Sequence, residues 1–270
     1  MPIIHSIVLG IVQGLTEFLP ISSSGHLIFI PKLLGWPDQG IVFDLIVHLG
    51  TLAAVMLYLR STIGEIFSSF FNTGSHHDAN RRLGWLAIAS AIPAGIVGLF
   101  AGDWIEAMFR SPVSVAINLM FWGLILWLAD FANHARHTMG KTRPLSLLNL
   151  KDSILIGLAQ ILALFPGVSR SGITITAGLA SNLDRRAATR FSFLMSIPII
   201  AAAGGSQVLK ILEYGLNGTG SGALAIGFVS ALIGGLFALW SLEKIIERWN
   251  FRPFAIYRVA VGIVILLVLL

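Results

Sequence analysis

The stretch Gln13-Gly14-Leu15-Thr16-Glu17-Phe18-Leu19-Pro20-Ile21-Ser22-Ser23-Ser24-Gly25-His26 sits inside an apolar run at about residues 6–30 and decides the fold. A run of that length would otherwise read as one membrane-crossing helix, which needs about 20 apolar residues. Proline, glycine and a triple serine interrupt it, and interrupted backbone exposes N–H and C=O groups that hydrocarbon cannot satisfy. Such a break survives at membrane depth only where it is buried in protein or lines a wet cavity. The run therefore reads as a re-entrant hairpin of half-helix, polar turn and half-helix. A second run, at about 153–180, is broken in the same way by Pro166-Gly167-Val168-Ser169-Arg170-Ser171-Gly172.

The two hairpins resemble each other. Gln13 and Gln160 stand 147 residues apart, and at that offset Phe18 meets Phe165, Ser22 meets Ser169, Ser24 meets Ser171 and Gly25 meets Gly172. Further along, Ser90-Ala91-Ile92-Pro93-Ala94-Gly95 resembles Ser230-Ala231-Leu232-Ile233-Gly234-Gly235. Six uninterrupted windows, at about 41–59, 83–101, 113–130, 190–210, 222–240 and 254–270, are long and apolar enough to cross a bilayer. Three follow each hairpin, and an odd number of spans per half inverts one copy relative to the other. The predicted fold is an all-α polytopic membrane protein with inverted-topology duplication, each half one re-entrant hairpin plus three transmembrane helices. It forms one integral membrane domain over 1–270, with repeat one at about 1–131, a cytoplasmic linker at about 132–152 and repeat two at about 153–270.

Composition names the solvent. The chain is 56% hydrophobic and 11% charged, with a mean hydropathy of +0.84, whereas a soluble domain carries roughly a quarter charged residues. Too little polar surface remains to cover a soluble globule, so lipid surrounds it. There are no cysteines, which excludes disulfides, thiolate-bound zinc and thiol nucleophiles. A net charge of +5 and a pI near 10 could suggest nucleic acid, but the basic residues lie in loops, and no nucleic-acid partner is expected. Thirteen Lys and Arg fall in the segments 60–82, 131–153, 181–190 and 241–253, against Lys32, Arg110 and Lys210 in the opposite loops. Positive loops stay in the cytoplasm, which places both termini outside. The first hairpin then enters from the outer face and the second from the cytoplasmic face, so that their turns meet near mid-bilayer. Residues 60–82 and 131–152 read as soluble linkers. Met1–Gly10 has no basic n-region and no cleavage site, so the first apolar run is expected in the mature protein.

The polar residues of the turns carry the chemistry. Gln13 and Glu17 are four apart and share one helix face. A carboxylate in an apolar stretch marks a functional site by default, although Glu17 could merely pair with Arg170 or cap a half-helix. Ser22, Ser23 and Ser24 precede a half-helix whose N-terminal N–H groups and dipole favour phosphate; they could equally be N-caps. His26, four residues after Ser22, is a candidate for proton transfer or for a structural bond. Arg170 is the single cation of the second hairpin, and its planar fork suits bidentate phosphate binding. Left unpaired at mid-bilayer it costs at least ~2.5 kcal/mol, so Glu17, a substrate anion or both must lie beside it. Ser169, Ser171 and Gly172 flank it as further phosphate contacts. Asp44 and His48, four apart in the first full span, either form a supporting pair or mark the membrane surface. Neither GxxxxGK[ST] nor HExxH occurs.

Read together, residues 13–26 resemble the (E/Q)xxxE plus PxSSxGH signature of undecaprenyl-diphosphate phosphatases of the bacitracin-resistance family. Pro166-Gly167-Val168-Ser169-Arg170-Ser171-Gly172 is similar to that family's second motif, PGxSRSG. The likeness runs over essentially the whole chain. It implies an enzyme of the bacterial inner membrane, opening to the periplasmic face, that hydrolyses undecaprenyl diphosphate to undecaprenyl phosphate and inorganic phosphate. Such an enzyme recycles the lipid carrier of peptidoglycan synthesis and confers bacitracin resistance. The resemblance also implies a divalent cation, Mg²⁺ or Ca²⁺, held by Glu17 and Gln13, the latter at a position where many members have Glu. It further implies Ser23 as nucleophile, Glu17 as base or metal ligand oriented by Gln13, His26 as proton donor or second-step base, and Arg170 on the phosphate; direct attack by water activated by Glu17 or His26 is the open alternative. Gln13, Ser22, Ser24, Ser169, Ser171 and Gly172 would contact the substrate. Membrane lipids are expected partners, and a homodimer stays open. The competing reading is a transporter or flippase of an anionic polyprenyl lipid, because secondary transporters share inverted repeats and broken helices.

Overall fold

The computed structural model describes residues 1–214 and 220–269, apart from the side chains of 75–76, 206–207 and 209–214. The first hairpin is α1 (Ile3–Phe18) and α2 (Ser23–Leu33), followed by α3 (Gly40–Tyr58), α4 (Arg60–Ser69), α5 (Ser75–Phe109) and α6 (Pro112–Thr138). The second is α7 (Leu150–Gln160), a 3₁₀ turn at Ile161–Leu164 and α8 (Arg170–Ala180), followed by α9 (Arg185–Tyr214), α10 (Ser221–Arg248) and α11 (Arg252–Leu269). Among the described residues six of these helices are long and apolar enough to cross a membrane, and they overlap the six expected windows, the last of which ends at 270, outside the described residues.

Both hairpins break for the same local reason. A residue before proline is pushed out of the helical region, and Leu19 (ψ 139°) and Phe165 (ψ 123°), before Pro20 and Pro166, are extended. Helix resumes behind a serine at positive φ: Ser22 at 75° and Ser169 at 73°.

Packing follows the sequence repeat. A Cβ on Gly10 of α1 would come within 2.6 Å of Gly227 O and 2.7 Å of Ser230 Cβ on α10. In the other half a Cβ on Gly157 of α7 would come within 2.5 Å of Ser90 O on α5. Gly10 and Gly157 are 147 residues apart, and Ser230 and Ser90 belong to the matched hexapeptides. Small residues that bring backbones together are how helices associate in lipid, and here one such contact is used twice. The remaining contacts exchange likewise: α3 packs on α10 as α9 packs on α5, while α6 with α11 and α3 with α9 are paired across the halves.

The two expected linkers contain helix. Residues 60–82, read as a soluble linker, hold α4 and the start of α5. Ile63, Ile66, Phe67 and Phe70 recur at helical spacing. Ile66 fills the space over Gly84 on α5, where a Cβ would meet it at 2.7 Å. The expected linker at about 132–152 is likewise helical to Thr138 and again from Leu150, where Asn149 and Asp152 form a capping box.

Candidate active site

Breaking both helices brings their turns together. Glu17, in the last turn of α1, is 7% exposed. Its Oε1 accepts from Arg170 Nη2 at 2.8 Å, and its Oε2 accepts from Ser23 Oγ at 2.8 Å and from Gln13 Nε2 at 3.1 Å. Arg170, the first residue of α8, also donates through Nη1 to Ser192 O at 3.0 Å, and its guanidinium lies 6.0 Å from the centre of the Phe18 ring. The pair is buried, with Arg170 12% exposed, so neither charge faces acyl chains. Gln13, Glu17, Ser23 and Arg170 thus form one bonded cluster with contributions from both halves.

Asp44 and His48 do not form the side-chain pair considered from their spacing. His48 Nδ1 donates to the Asp44 backbone carbonyl at 2.6 Å, the acceptor a four-residue helical spacing offers, and its Nε2 stands 3.9 Å from Glu17 Oε2. The Asp44 carboxylate accepts instead from Gln39 Nε2 at 2.9 Å. His48 therefore joins the cluster, and Asp44 does not.

Several candidate residues spend their hydroxyls on holding the turns. Ser22 Oγ accepts from Gly25 N at 3.3 Å and Ser169 Oγ from Gly172 N at 3.1 Å, so both are N-caps. Ser171 Oγ donates to Leu19 O at 3.0 Å, which satisfies a carbonyl freed by the first break. Ser24, exposed, accepts from Gly167 N at 3.5 Å. The first two N–H groups of α2 and of α8, those of Ser23, Ser24, Arg170 and Ser171, have no acceptor among the described residues. His26 is set apart: Nδ1 donates to Ser22 O at 2.7 Å, Nε2 meets Tyr257 OH at 2.8 Å, and no bond joins it to Glu17, Ser23 or Arg170.

Tyr257 and Arg258 were not among the residues singled out from the sequence, and His48 was singled out only as a possible partner of Asp44. Arg258 had a signal: of eighteen basic residues only it and Arg170 fall outside the loops. For a cation, the donors here are hard oxygens. Gln13 Oε1 is buried without a partner, as is Arg170 Nε. Among the described residues no group of three His, Cys, Asp or Glu could hold a metal alone. Mg²⁺ takes one or two carboxylates together with substrate phosphates and water. Glu17 and Gln13 Oε1 fit an ion that brings phosphate oxygens with it, and Arg170 Nε offers the phosphate a donor.

The comparisons with known proteins point the same way. The family model described as bacitracin resistance protein BacA matches residues 6–264. The chain is similar to Undecaprenyl-diphosphatase 2 of Stutzerimonas stutzeri, at 46% identity covering 98% of each chain. It is 44% identical to Undecaprenyl-diphosphatase of Teredinibacter turnerae over 98% of each chain. The corresponding protein of Geobacter metallireducens is 44% identical over 98% of this chain and 97% of its own.

Proposed function

The chain belongs to the bacitracin resistance protein BacA family, and from that premise we propose that it hydrolyses undecaprenyl diphosphate to undecaprenyl phosphate and inorganic phosphate. It is a multi-pass membrane protein. In this reading it lies in the bacterial inner membrane with the site open to the outer face, as the loop charges favour, and returns lipid carrier to cell-wall synthesis. The carrying observation is the carboxylate of Glu17 with Ser23 Oγ on one oxygen and Arg170 on the other, each at 2.8 Å.

Phosphoryl transfer asks the protein mainly for positioning and charge neutralisation. Arg170, the unengaged N–H groups opening α2 and α8, and the Ser24 hydroxyl bind the diphosphate oxygens. Ser23 Oγ, already donating to Glu17, attacks the terminal phosphorus while its proton passes to Glu17 Oε2. The bond from that phosphorus to the bridging oxygen breaks, and undecaprenyl phosphate leaves with the electron pair. Water then attacks the phosphoserine, giving up one proton, and inorganic phosphate departs as Ser23 Oγ is reprotonated. His26, fixed by Ser22 O and Tyr257, serves this second step as proton donor or base. Glu17 and Gln13 Oε1 would hold a divalent cation, which would supply neutralisation of the charge that builds on the transferred group.

The test is release of inorganic phosphate from undecaprenyl diphosphate by purified protein in detergent, with and without chelator. Phosphate release that chelator abolishes is the expected result. Lipid crossing a bilayer without phosphate release would favour a flippase instead. A trapped phosphoseryl protein supports the covalent route, and a Ser23→Ala variant with near-normal turnover would replace it with direct attack by water.

A further inference from the structure

Arg258, on α11, is 0% exposed, and no carboxylate pairs with it among the described residues. Its guanidinium donates only to backbone carbonyls. Nε reaches Leu119 O at 3.1 Å and Nη1 reaches Pro20 O at 3.4 Å. Nη2 reaches Val168 O at 2.8 Å, Gly167 O at 3.1 Å and Asn118 O at 3.4 Å. Pro20 belongs to the first turn, Gly167 and Val168 to the second, and Asn118 and Leu119 to α6, against which the second turn packs.

We propose that Arg258 is a positioning residue, whose guanidinium ties the two turns together at the spacing that sets Ser23 and Arg170 on opposite oxygens of Glu17. The physical need comes from the breaks themselves. The non-helical turns at Leu19–Ile21 and Phe165–Val168 leave carbonyls without helical partners, and lipid supplies no donors. Arginine brings five donors in one rigid plane and asks for no acceptor in return. One side chain can therefore collect carbonyls from two separate segments, and its fixed fork dictates how far apart they lie. The link to the site is short: Pro20 is three residues before Ser23, and Val168 is two before Arg170.

Two glycines, one per half, make the slot. A Cβ on Gly123 of α6 would lie 3.0 Å from Arg258 Cβ and 3.3 Å from its Cδ and Nε, and a Cβ on Gly172 would lie 2.8 Å from Nη1. The three atoms nearest to a Cβ at Gly123 all belong to Arg258. A methyl group there pushes the guanidinium while leaving every residue of the cluster unaltered. Lysine at 258 keeps the charge but replaces the planar fork with three donors on one point, too few and too compact for both turns.

The inference rests on the phosphatase reading, and its test separates the two. Phosphate release is measured for full-length wild type, Arg258→Lys, Gly123→Ala and the double variant, each checked for folding by thermal melting. The expected result is that kcat falls about 10- to 100-fold in each single variant while KM stays within about twofold. The double variant should lose less than the sum of the two losses, because both act through one side chain. A folded Gly123→Ala or Arg258→Lys protein with wild-type kcat would overturn the proposal, and so would additive losses. Should wild type itself release no phosphate, the phosphatase reading fails and a distance measurement judges Arg258. The chain has no cysteine, so spin labels on introduced cysteines at Leu33 and Leu158, both exposed, report the separation of the hairpins without background. A distance distribution that broadens or shifts in Gly123→Ala is expected; one identical to wild type would end the proposal.

Discussion

In the first hairpin Ser22 stands at φ 75° and its hydroxyl caps α2 at Gly25; 147 residues later Ser169 stands at φ 73° and caps α8 at Gly172. Each capping hydroxyl lies 3.3 Å from the hydroxyl two residues on, Ser24 in one turn and Ser171 in the other. The backbone device is one device used twice. The chemistry on it is not repeated: where the first hairpin has Glu17, Ser23 and His26, the second has Leu164, Arg170 and Ile173 at the same offset. Two turns that meet inside a membrane gain from carrying opposite charges, because each charge then compensates the burial of the other. Two acidic turns would repel, and so would two basic ones. The difference between the two hairpins answers this: the carboxylate and the Ser23 hydroxyl lie in one and the cation in the other. The halves can then face each other at 2.8 Å.

Breaking that complementarity should have the largest effect. Glu17→Ala or Arg170→Ala is expected to lower phosphate release about 1,000-fold or more. Each also strands the opposite charge, at a cost of about 3–5 kcal/mol when a buried pair loses one member. The comparison sharpens with a double variant, Glu17→Gln with Arg170→Met, which carries neither charge. It should be as inactive as the single changes yet melt at a higher temperature than either. A double variant melting below both would show that the pair is not mutually compensating.

Next in size is the position where one hairpin has Ser23 and the other Arg170. Ser23→Ala is expected to lower kcat by about 100- to 10,000-fold with little change in KM, as loss of a group acting only in the transition state does. Exchanging the two residues, Ser23→Arg with Arg170→Ser, keeps a cation near Glu17 and should yield a folded but inactive protein. Steady-state phosphate release alongside thermal melting reads both outcomes.

How much of this was legible in the sequence varies with the range of the force involved. The hairpin breaks and the six spans were legible because Pro20, Pro166 and run length act locally. The pairing of Glu17 with Arg170 was legible because a carboxylate and a cation, each set in a broken apolar run, lower one another's cost of burial. The division of labour among Ser22, Ser23 and Ser24 was legible only through the motif they resemble, not from the residues themselves. Three identical neighbours differ only in backbone geometry, and the positive φ of Ser22 turns its hydroxyl into the cap and leaves Ser23 to reach Glu17. Spacing left His48 either beside Asp44 or at the membrane surface, but the helix itself supplies the Asp44 carbonyl as partner, so the ring's other nitrogen is free to face Glu17. Arg258 was obscured by an apolar window of its own, although the rule that singled out Arg170 applied to it equally.

Gln13 and Gln160 offer a milder test of the same asymmetry. Both are buried with Oε1 unpartnered, but Gln13 Nε2 donates to Glu17 at 3.1 Å, whereas Gln160 Nε2 donates to Ser90 O at 3.4 Å. Gln13→Glu sets a second carboxylate beside the first, unfavourable alone and favourable with a divalent cation between them. Half-maximal activity should then need about tenfold less Mg²⁺, and melting should rise more steeply with Mg²⁺ than in wild type. Gln160→Glu sets a carboxylate against a carbonyl, where no cation is expected, so its melting should fall and stay low at every Mg²⁺ concentration. A matching Mg²⁺ response from both variants would remove the metal from the first hairpin.

The smallest expected effect bears most directly on the shared scaffold. Ser22→Ala and Ser169→Ala each remove one cap, and a lost cap costs about 1 kcal/mol. Both leave a non-glycine residue at positive φ, so backbone strain changes equally on the two sides. If the two turns are energetically as well as geometrically the same, denaturant midpoints should fall by the same amount. Activity should not fall equally, because Ser22 adjoins the residue that attacks, while Ser169 adjoins one that binds through a long side chain able to adjust. Ser22→Ala is therefore expected to lower kcat more than Ser169→Ala at matched stability. Unequal midpoints would mean that the chemistry carried by each turn, and not its backbone alone, determines how firmly that turn is held.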